Sequence, residues 1–274
     1  MAQPATSAHY NATVTHVATF APDLFAIRVR PDGGVPPYKP GQYATLGLLA
    51  SAPRLEGCPP GPEADDSDGL IKRAYSVASA PHEAELEVYI ALVRTGDLTP
   101  QLAMLREGDR LFCAPRLKGV FTLDDVPETA SLIFVATGTG LAPFVSMLRD
   151  LAHRHGGDGL VPREVLLVHG VRHRVDLGYR DELEGYVAAN PRWHYLPAVT
   201  RDPEFLGVTG RLPLLFADGT VERALGRTFD VAHDHVYLCG NPDMITAVVA
   251  LLESRGFREH SKRNPGNVHL EKYW

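Results

Sequence analysis

The type of secondary structure that the sequence predicts changes near Val126, and this change divides the chain into two kinds of domain. Before that point, short segments of mixed apolar and polar residues are separated by proline and glycine, which is typical of strands. The predicted strands are Asn11–Phe20, Leu24–Arg30, Gln42–Leu49, Arg73–Ser79, Glu85–Val93 and Arg110–Ala114, with one short helix at Leu98–Leu105. Many short strands with a single helix predict an antiparallel β-barrel.

Two details refine this prediction for the first domain. Leu86, Val88 and Ile90 alternate with other residues, which predicts a half-buried strand. The segment Ala52–Gly69 is rich in proline, glycine and aspartate, and we expect it to form an exposed loop.

After Val126, continuous apolar runs alternate with helical patterns. The predicted strands are Leu132–Thr137, Glu164–Val171, Trp193–Thr200, His235–Gly240 and a last strand in Val268–Trp274, and the predicted helices begin at Ala142, Tyr179 and Pro242. Buried strands that alternate with helices predict a parallel sheet with crossover connections, as in a Rossmann-like α/β domain. We therefore expect a barrel domain over residues 1–126 and an α/β domain over residues 127–274.

Composition limits the classes of function. The net charge of −6 argues against general nucleic-acid binding. The sequence shows neither a signal-peptide pattern nor an apolar run that could span a membrane, so we expect a cytoplasmic protein. As a separate expectation, we take the protein to be a monomer. Three cysteines cannot supply the four thiolates of an iron–sulfur cluster, and the twelve histidines form no recognised metal-binding pattern. An organic electron carrier is therefore more compatible with the chain than a metal centre.

Two short motifs in the first domain suit a flavin nucleotide. In Arg73-Ala74-Tyr75-Ser76, an arginine can hold a phosphate through two N–H groups, the tyrosine ring can cover a flavin, and the serine can bond the ring edge. Gly96-Asp97-Leu98-Thr99 predicts a turn whose backbone N–H groups suit an anion. An ordinary strand and an ordinary capped turn are the alternatives for these two segments.

In the second domain, Gly138-Thr139-Gly140 lies between a predicted buried strand and a predicted helix, where a diphosphate can approach the backbone closely. Arg172 and Arg201 directly follow predicted strands, and Arg211 follows Thr209-Gly210. Together the three arginines suggest an additional phosphate, such as the 2′-phosphate of NADP. Surface arginines without a ligand are the alternative.

Two further positions are candidates near the rings of the cofactors. Cys239, at the end of a predicted strand, suits a place beside a nicotinamide or a buried structural role. The terminal Trp274 suits stacking on an aromatic ring or plain core packing.

The chain resembles the ferredoxin–NADP reductase family, particularly its bacterial ferredoxin/flavodoxin reductase branch. The resemblance covers nearly the whole chain apart from Ala52–Gly69, and depends on the order of five motifs. These are Arg73–Ser76, Gly96–Thr99, Gly138–Pro143, Cys239–Pro242 and the terminal Tyr273-Trp274. The family implies an FAD-binding antiparallel barrel followed by an NADP-binding α/β domain.

The resemblance also implies roles for individual residues. FAD contacts would come from Arg73, Ala74, Tyr75, Ser76, Tyr89, Asp97, Leu98, Thr99 and Trp274. NADP(H) contacts would come from Gly138, Thr139, Gly140, Val171, Arg172, Thr200, Arg201, Arg211, Asn241, Asp243 and Lys262, with Arg263 as an alternative to Lys262. Tyr75, Ser76, Cys239 and Trp274 are expected to be the catalytic residues, since they would touch the reacting rings.

The activity implied by the resemblance is hydride transfer between NADPH and FAD, with single electrons passing to or from ferredoxin or flavodoxin. Two alternatives stay open at the level of the sequence. One is an NADH-dependent flavin reductase component that feeds an oxygenase, and the other is a flavin-binding regulatory subunit without catalysis.

Overall fold

The computed structural model describes residues 9–63, 69–155 and 163–272, which form two compact units. The first unit contains the residues up to Thr122 together with Val145–Asp150, and the second contains Leu123–Phe144 and the residues from Leu151 onward. No helix in the described ranges is both long and apolar enough to cross a bilayer.

The first unit is built on an antiparallel sheet with the order β4-β3-β6-β1-β2-β5. Its elements are β1 (Ala12–Ala21), β2 (Leu24–Pro31), β3 (Tyr43–Leu49), β4 (Leu70–Ser76), β5 (Leu86–Ala91), α1 (Thr99–Leu102) and β6 (Arg110–Cys113). An isolated antiparallel bridge joins Val77, just after β4, to Val88 in β5 and closes the sheet into a barrel. The predicted antiparallel barrel is therefore confirmed, although its helix is shorter than expected.

Strand β5 is more deeply buried than its alternating sequence predicts. Glu87 and Tyr89 are buried as well as the apolar residues between them, so the prediction of a half-buried strand is wrong. Glu87 can be buried because Arg28 Nε lies 2.6 Å from one of its carboxylate oxygens and an Arg149 nitrogen lies 3.1 Å from the other. Paired charges of this kind allow an acidic side chain to leave water.

The second unit is a parallel sheet with the order β10-β9-β8-β7-β11-β12. Its strands are β7 (Ser131–Thr137), β8 (Val165–Val171), β9 (Trp193–Val199), β10 (Val208–Thr209), β11 (Asp234–Gly240) and β12 (Val268–Lys272). Its helices are α2 (Ala142–His155), α3 (Arg180–Ala189), α4 (Leu212–Ala217), α5 (Thr220–Leu225) and α6 (Pro242–Glu253). The predicted parallel sheet with crossover helices is confirmed, including the last strand.

The central positions of β7 and β8 in the sheet agree with their apolar sequences. β8 is buried along its whole length and β7 at all but its two end residues, as strands covered on both faces must be. Sequence reasoning did not predict β10, α4 or α5. The strand has two residues and each helix has six, which is too short for a periodic pattern to emerge.

The edge strand β12 carries a stack of aromatic rings. The His269 ring lies between Tyr237, at a centroid distance of 4.1 Å, and His260, at 4.6 Å. Its Nε2 atom is 3.0 Å from Nδ1 of His235. Burial, reinforced by the neighbouring histidines, lowers the pKa of His269 to about 3, and burial also lowers the pKa of His235. The folded chain therefore holds His269 neutral where the unfolded chain binds a proton.

We predict that acid destabilises the protein partly through His269. Because its folded pKa is below the ordinary value of 6.5, its stabilising contribution is complete above that pH and is lost as pH falls toward 3. Between about pH 6 and pH 4.5, His269→Phe should reduce the pH dependence of the unfolding free energy by up to about 1.4 kcal/mol per pH unit. Urea unfolding of both proteins at several pH values measures this difference. Parallel pH profiles would contradict the prediction.

Candidate cofactor-binding site

The carboxyl end of β7 leads into a glycine turn. Gly138 has a φ of +55°, and an added Cβ atom there would have no atom within 4 Å. Residues Gly138–Leu141 form a single 3₁₀ turn, and α2 begins at Ala142 as the sequence predicts. The turn therefore presents open space beside its backbone, as a cradle for a diphosphate requires.

A second glycine brings this turn against the end of β11. An added Cβ atom on Gly140 would lie 2.6 Å from the carbonyl carbon of Cys239 and 2.9 Å from the nitrogen of Gly240. Gly240 has a φ of +130°, and its own Cβ position would be 2.8 Å from the Thr137 carbonyl oxygen. The two strand ends therefore meet backbone to backbone, and neither glycine can carry a side chain without displacing the other strand.

The turn after β11 is fixed by short polar contacts. The N–H of Asn241 donates to Oγ1 of Thr137 at 2.8 Å. The Asn241 side chain then caps α6 by accepting from the N–H of Met244 at 3.0 Å, while Asp243 lies in the first turn of the helix. Asn241 and Asp243 are thus placed beside the glycine turn. The Asn241 side chain is also the N-cap of α6.

The three predicted arginines follow three neighbouring strands. Arg172 comes directly after β8, Arg201 two residues after β9, and Arg211 two residues after β10. All three are exposed, and the N–H of Arg201 donates to the carbonyl of Arg172 at 2.8 Å. Since parallel strands lie about 4.8 Å apart and end at the same edge, the structure gathers these cations at the carboxyl edge of the sheet.

Two other predicted residues support that edge, whereas Lys262 does not lie there. Thr200 donates from its backbone N–H and from Oγ1 to the carbonyl of Val171, at 3.1 and 3.2 Å. Lys262 and Arg263 are exposed residues that precede β12, and β12 and β10 are opposite edge strands of the sheet. The structure therefore does not bring Lys262 or Arg263 together with Arg211.

A buried histidine lies close to the glycine turn and was not among the predicted site residues. His169 in β8 is fully buried, and its Nδ1 atom is 3.3 Å from the hydroxyl of Tyr195. Burial lowers its pKa to about 4, an effect that a hydrogen bond with the Gly138 backbone partly offsets. At neutral pH, His169 is therefore uncharged, and its ring interacts with the backbone of Gly138 in the turn.

In the first unit, the Arg73–Ser76 motif forms the end of β4. Arg73 and Tyr75 point to one face of the strand by alternation, whereas Ala74 and Ser76 point to the other. Ala74 is exposed and Ser76 is buried, while Tyr75 is half-buried and burial raises the pKa of its hydroxyl. Tyr89, on β5, is buried, and its ring is nearly perpendicular to that of Phe20, with a centroid distance of 5.3 Å.

The Arg73 guanidinium is paired with the carboxylate of Asp97 and also donates to the carbonyl of Lys72 at 2.6 Å. The Arg73 and Asp97 side chains remain 39% and 43% exposed, so an incoming phosphate could reach the arginine. An arginine that can exchange a carboxylate for a phosphate suits an FAD diphosphate.

The Gly96–Thr99 turn lies next to this pair. Gly96 has no room for a side chain, because an added Cβ would be 2.9 Å from the Val93 carbonyl oxygen. Thr99 Oγ1 donates to the carbonyl of Val93 at 2.9 Å and accepts from its N–H at 3.1 Å, which fixes the turn. Leu98 is buried. The backbone N–H groups are thus the part of this turn that suits an anion, whereas the Asp97 carboxylate is paired with Arg73.

Of the predicted catalytic residues, Cys239 is fully buried, with its sulfur 3.7 Å from Oε2 of Glu271. Trp274 lies outside the described residues. Across the described ranges, no group of three or more His, Cys, Asp or Glu side chains is arranged to hold a metal ion.

These features define a class of protein: one with a β-barrel unit and a parallel-sheet unit whose carboxyl edge suits a nucleotide. The family model for the oxidoreductase NAD-binding domain matches residues 134–250. The chain is 33% identical over 265 residues to the flavodoxin/ferredoxin–NADP reductase of Escherichia coli, covering 95% of this chain and 97% of that protein. Its identity to the Buchnera aphidicola (strain Bp) protein of the same name is 29%, with coverages of 96% and 98%.

A solved structure agrees with the whole fold. It is the ferredoxin NADP⁺ reductase from Neisseria gonorrhoeae with bound FAD and NADP, which matches with a TM-score of 0.79 at 25% identity. The match covers 97% of this chain and 99% of that one. The chain belongs to the flavodoxin/ferredoxin–NADP reductase family.

We predict that Gly140→Ala destabilises the second unit by about 1–3 kcal/mol, since the new methyl group meets backbone atoms that cannot rotate away. Gly138→Ala is the matched control, because it has open space and should lose only about 1 kcal/mol through its positive φ. Urea unfolding of the two variants compares them directly. Equal losses, or a larger loss for Gly138→Ala, would show that the close approach of the two strand ends is unimportant.

Proposed function

We propose that this protein is an FAD-dependent reductase that exchanges hydride with NADP(H) and passes single electrons to or from ferredoxin or flavodoxin. The observation that carries the proposal is the carboxyl edge of the parallel sheet, where an open glycine turn stands beside three exposed arginines. This edge occurs in a chain of which 95% aligns with the flavodoxin/ferredoxin–NADP reductase of Escherichia coli. We retain residues 1–126 and 127–274 as the proposed functional domains.

In this proposal, Gly138, Thr139 and Gly140 hold the diphosphate of NADP(H) through the backbone of the turn. Arg172, Arg201 and Arg211 hold the 2′-phosphate, with Val171 and Thr200 fixing the loop that carries them. Arginine suits this task because its planar guanidinium can donate two parallel hydrogen bonds to a phosphate. The three cations favour NADPH over NADH, and this favours the reductase over an NADH-dependent oxygenase component.

The first unit holds FAD, which when bound accepts a hydride and releases electrons one at a time. Arg73 binds its diphosphate, with the Gly96–Thr99 turn beside it. Tyr75 covers the ring system and Ser76 hydrogen-bonds its edge, while Tyr89 on β5 supports the same site. These residues orient the cofactor and exclude water, and hydride exchange needs no separate acid or base from the chain.

The proposal also retains Cys239 and Trp274 at the reacting rings. A buried, compact thiol like that of Cys239 suits packing against a ring more than nucleophilic attack. Trp274 is proposed to stack on FAD. We further propose that the protein is a cytoplasmic monomer that works with ferredoxin or flavodoxin in either direction.

The proposed activity predicts a yellow protein whose flavin absorbance bleaches when NADPH is added without oxygen. Subsequent mixing with oxidised ferredoxin or flavodoxin should restore the absorbance in one-electron steps, which stopped-flow spectroscopy can follow. A coloured protein that NADPH does not bleach would instead support a binding module without catalysis. A protein that cannot take up FAD would overturn the proposal.

A second prediction concerns the choice of nicotinamide. Arg201→Ala or Arg211→Ala should each lower kcat/KM for NADPH by about 10- to 100-fold, because each removes a charge-assisted hydrogen bond to phosphate. The same values for NADH should change by less than about twofold, since NADH lacks that phosphate. Arg192→Ala is the matched control: this exposed arginine precedes β9, at the opposite edge of the sheet. Equal losses with both nucleotides would contradict the assignment of the 2′-phosphate site.

A further inference from the structure

The segment between β3 and β4, which the sequence predicts to be an exposed loop, is attached in its described part to α1. The buried Gln101 donates from Nε2 to the carbonyls of Leu49, Ala50 and Ala52, at 3.0, 3.3 and 3.1 Å. The N–H of Leu55 donates to the carbonyl of Pro100 at 3.0 Å. The beginning of this segment therefore has a fixed place beside the Gly96–Thr99 turn.

Arg54 makes the most direct connection between the segment and that turn. Its guanidinium donates to the carbonyl of Asp97 at 2.6 Å, to that of Gly96 at 2.9 Å and to that of Pro59 at 3.1 Å. Arg54 is half-buried, and Gly61 lies against it so closely that an added Cβ would be 3.1 Å from the guanidinium. Arg54 thus holds two successive peptide groups, those that begin at Gly96 and at Asp97, through hydrogen bonds to their carbonyls.

These hydrogen bonds from Arg54 fix the direction of the backbone N–H groups in the turn. In a planar trans peptide, the C=O and N–H bonds point in opposite directions. Because the carbonyls of Gly96 and Asp97 both point to Arg54, the N–H groups of Asp97 and Leu98 point away from it. Successive N–H groups directed to one side form a concavity that suits an anion.

The same turn also controls the position of Arg73. The backbone carbonyl of Asp97 accepts from Arg54, while its carboxylate is paired with the Arg73 guanidinium. Arg54 therefore acts on the phosphate-binding arginine through a single intervening residue. All three of these residues belong to the first unit.

We propose that Arg54 is a positioning residue for the FAD diphosphate. This inference rests on the proposed function, since it assumes that FAD binds at Arg73. Arg54 contacts carbonyl groups, so it acts by holding the turn and Arg73 in the conformation that FAD needs. Preorganisation of this kind tightens binding, because less order has to be created when the ligand binds. Differences in affinity between related complexes lie mostly in the dissociation rate, so a preorganised site should release FAD more slowly.

The test measures FAD release from the holoenzyme by the rise of flavin fluorescence after dilution. Arg54→Met keeps an unbranched apolar side chain and removes the guanidinium donors, and we expect FAD to leave about tenfold faster or more. Arg54→Lys keeps the charge without the planar fork and should give an intermediate rate. Arg106→Met, which changes an exposed arginine of the same unit, should release FAD at the wild-type rate.

A double-mutant cycle separates positioning from a general loss of stability. If Arg54 acts through Asp97 on Arg73, then Arg54→Met should accelerate release much less in an Arg73→Met background than in the wild type. KM for NADPH should stay unchanged in Arg54→Met. Release at the wild-type rate, or effects of the two substitutions that are fully additive, would overturn the inference. Failure of the wild-type protein to bind FAD would instead overturn the proposed function.

Discussion

The close approach of two backbones, at the turn after β7 and at the end of β11, is the constraint on which the nucleotide site depends. Gly140 faces the Cys239–Gly240 peptide, and Gly240 faces the backbone and the hydroxyl of Thr137. The contact leaves open space at Gly138 and lets Asn241 bond to Thr137. A side chain at Gly140 or Gly240 would displace the turn that a diphosphate needs.

The arginines near this turn and the arginines of the first unit are positioned for phosphate binding in different ways. At the sheet edge, Arg172, Arg201 and Arg211 stand on neighbouring strands, so the sheet itself spaces them. At β4, Arg73 is held by Asp97, whose backbone is in turn held by Arg54. A chain with a net charge of −6 can therefore bind anionic cofactors, because local placement of arginine outweighs the total charge.

The sequence predicts those parts of this arrangement that depend on neighbouring residues in the chain, and it does not predict the parts that depend on contacts between distant residues. The apolar run of β7, the glycines after it and the arginines after strand ends are local patterns, and they predicted the sheet and its carboxyl edge. The burial of Glu87 was not predictable, since it depends on Arg28 and on Arg149, which comes from a distant part of the chain. The role of Arg54 was not predictable either, because two of its three partners are backbone carbonyls of the Gly96–Thr99 turn, about forty residues away, and no local pattern links the two segments. For Lys262 the residue type suits phosphate binding, but the order of the strands places it far from Arg211, because β12 and β10 are opposite edge strands.

The central claim is that the carboxyl edge of the parallel sheet recognises a phosphate on the 2′ position of adenosine. Isothermal titration calorimetry of the protein with adenosine 2′,5′-bisphosphate and with 5′-AMP tests it most directly, since neither ligand involves the flavin. The account predicts that the bisphosphate binds at least about tenfold more tightly, and that this advantage shrinks as salt concentration rises. Equal affinities for the two ligands at low salt would contradict it.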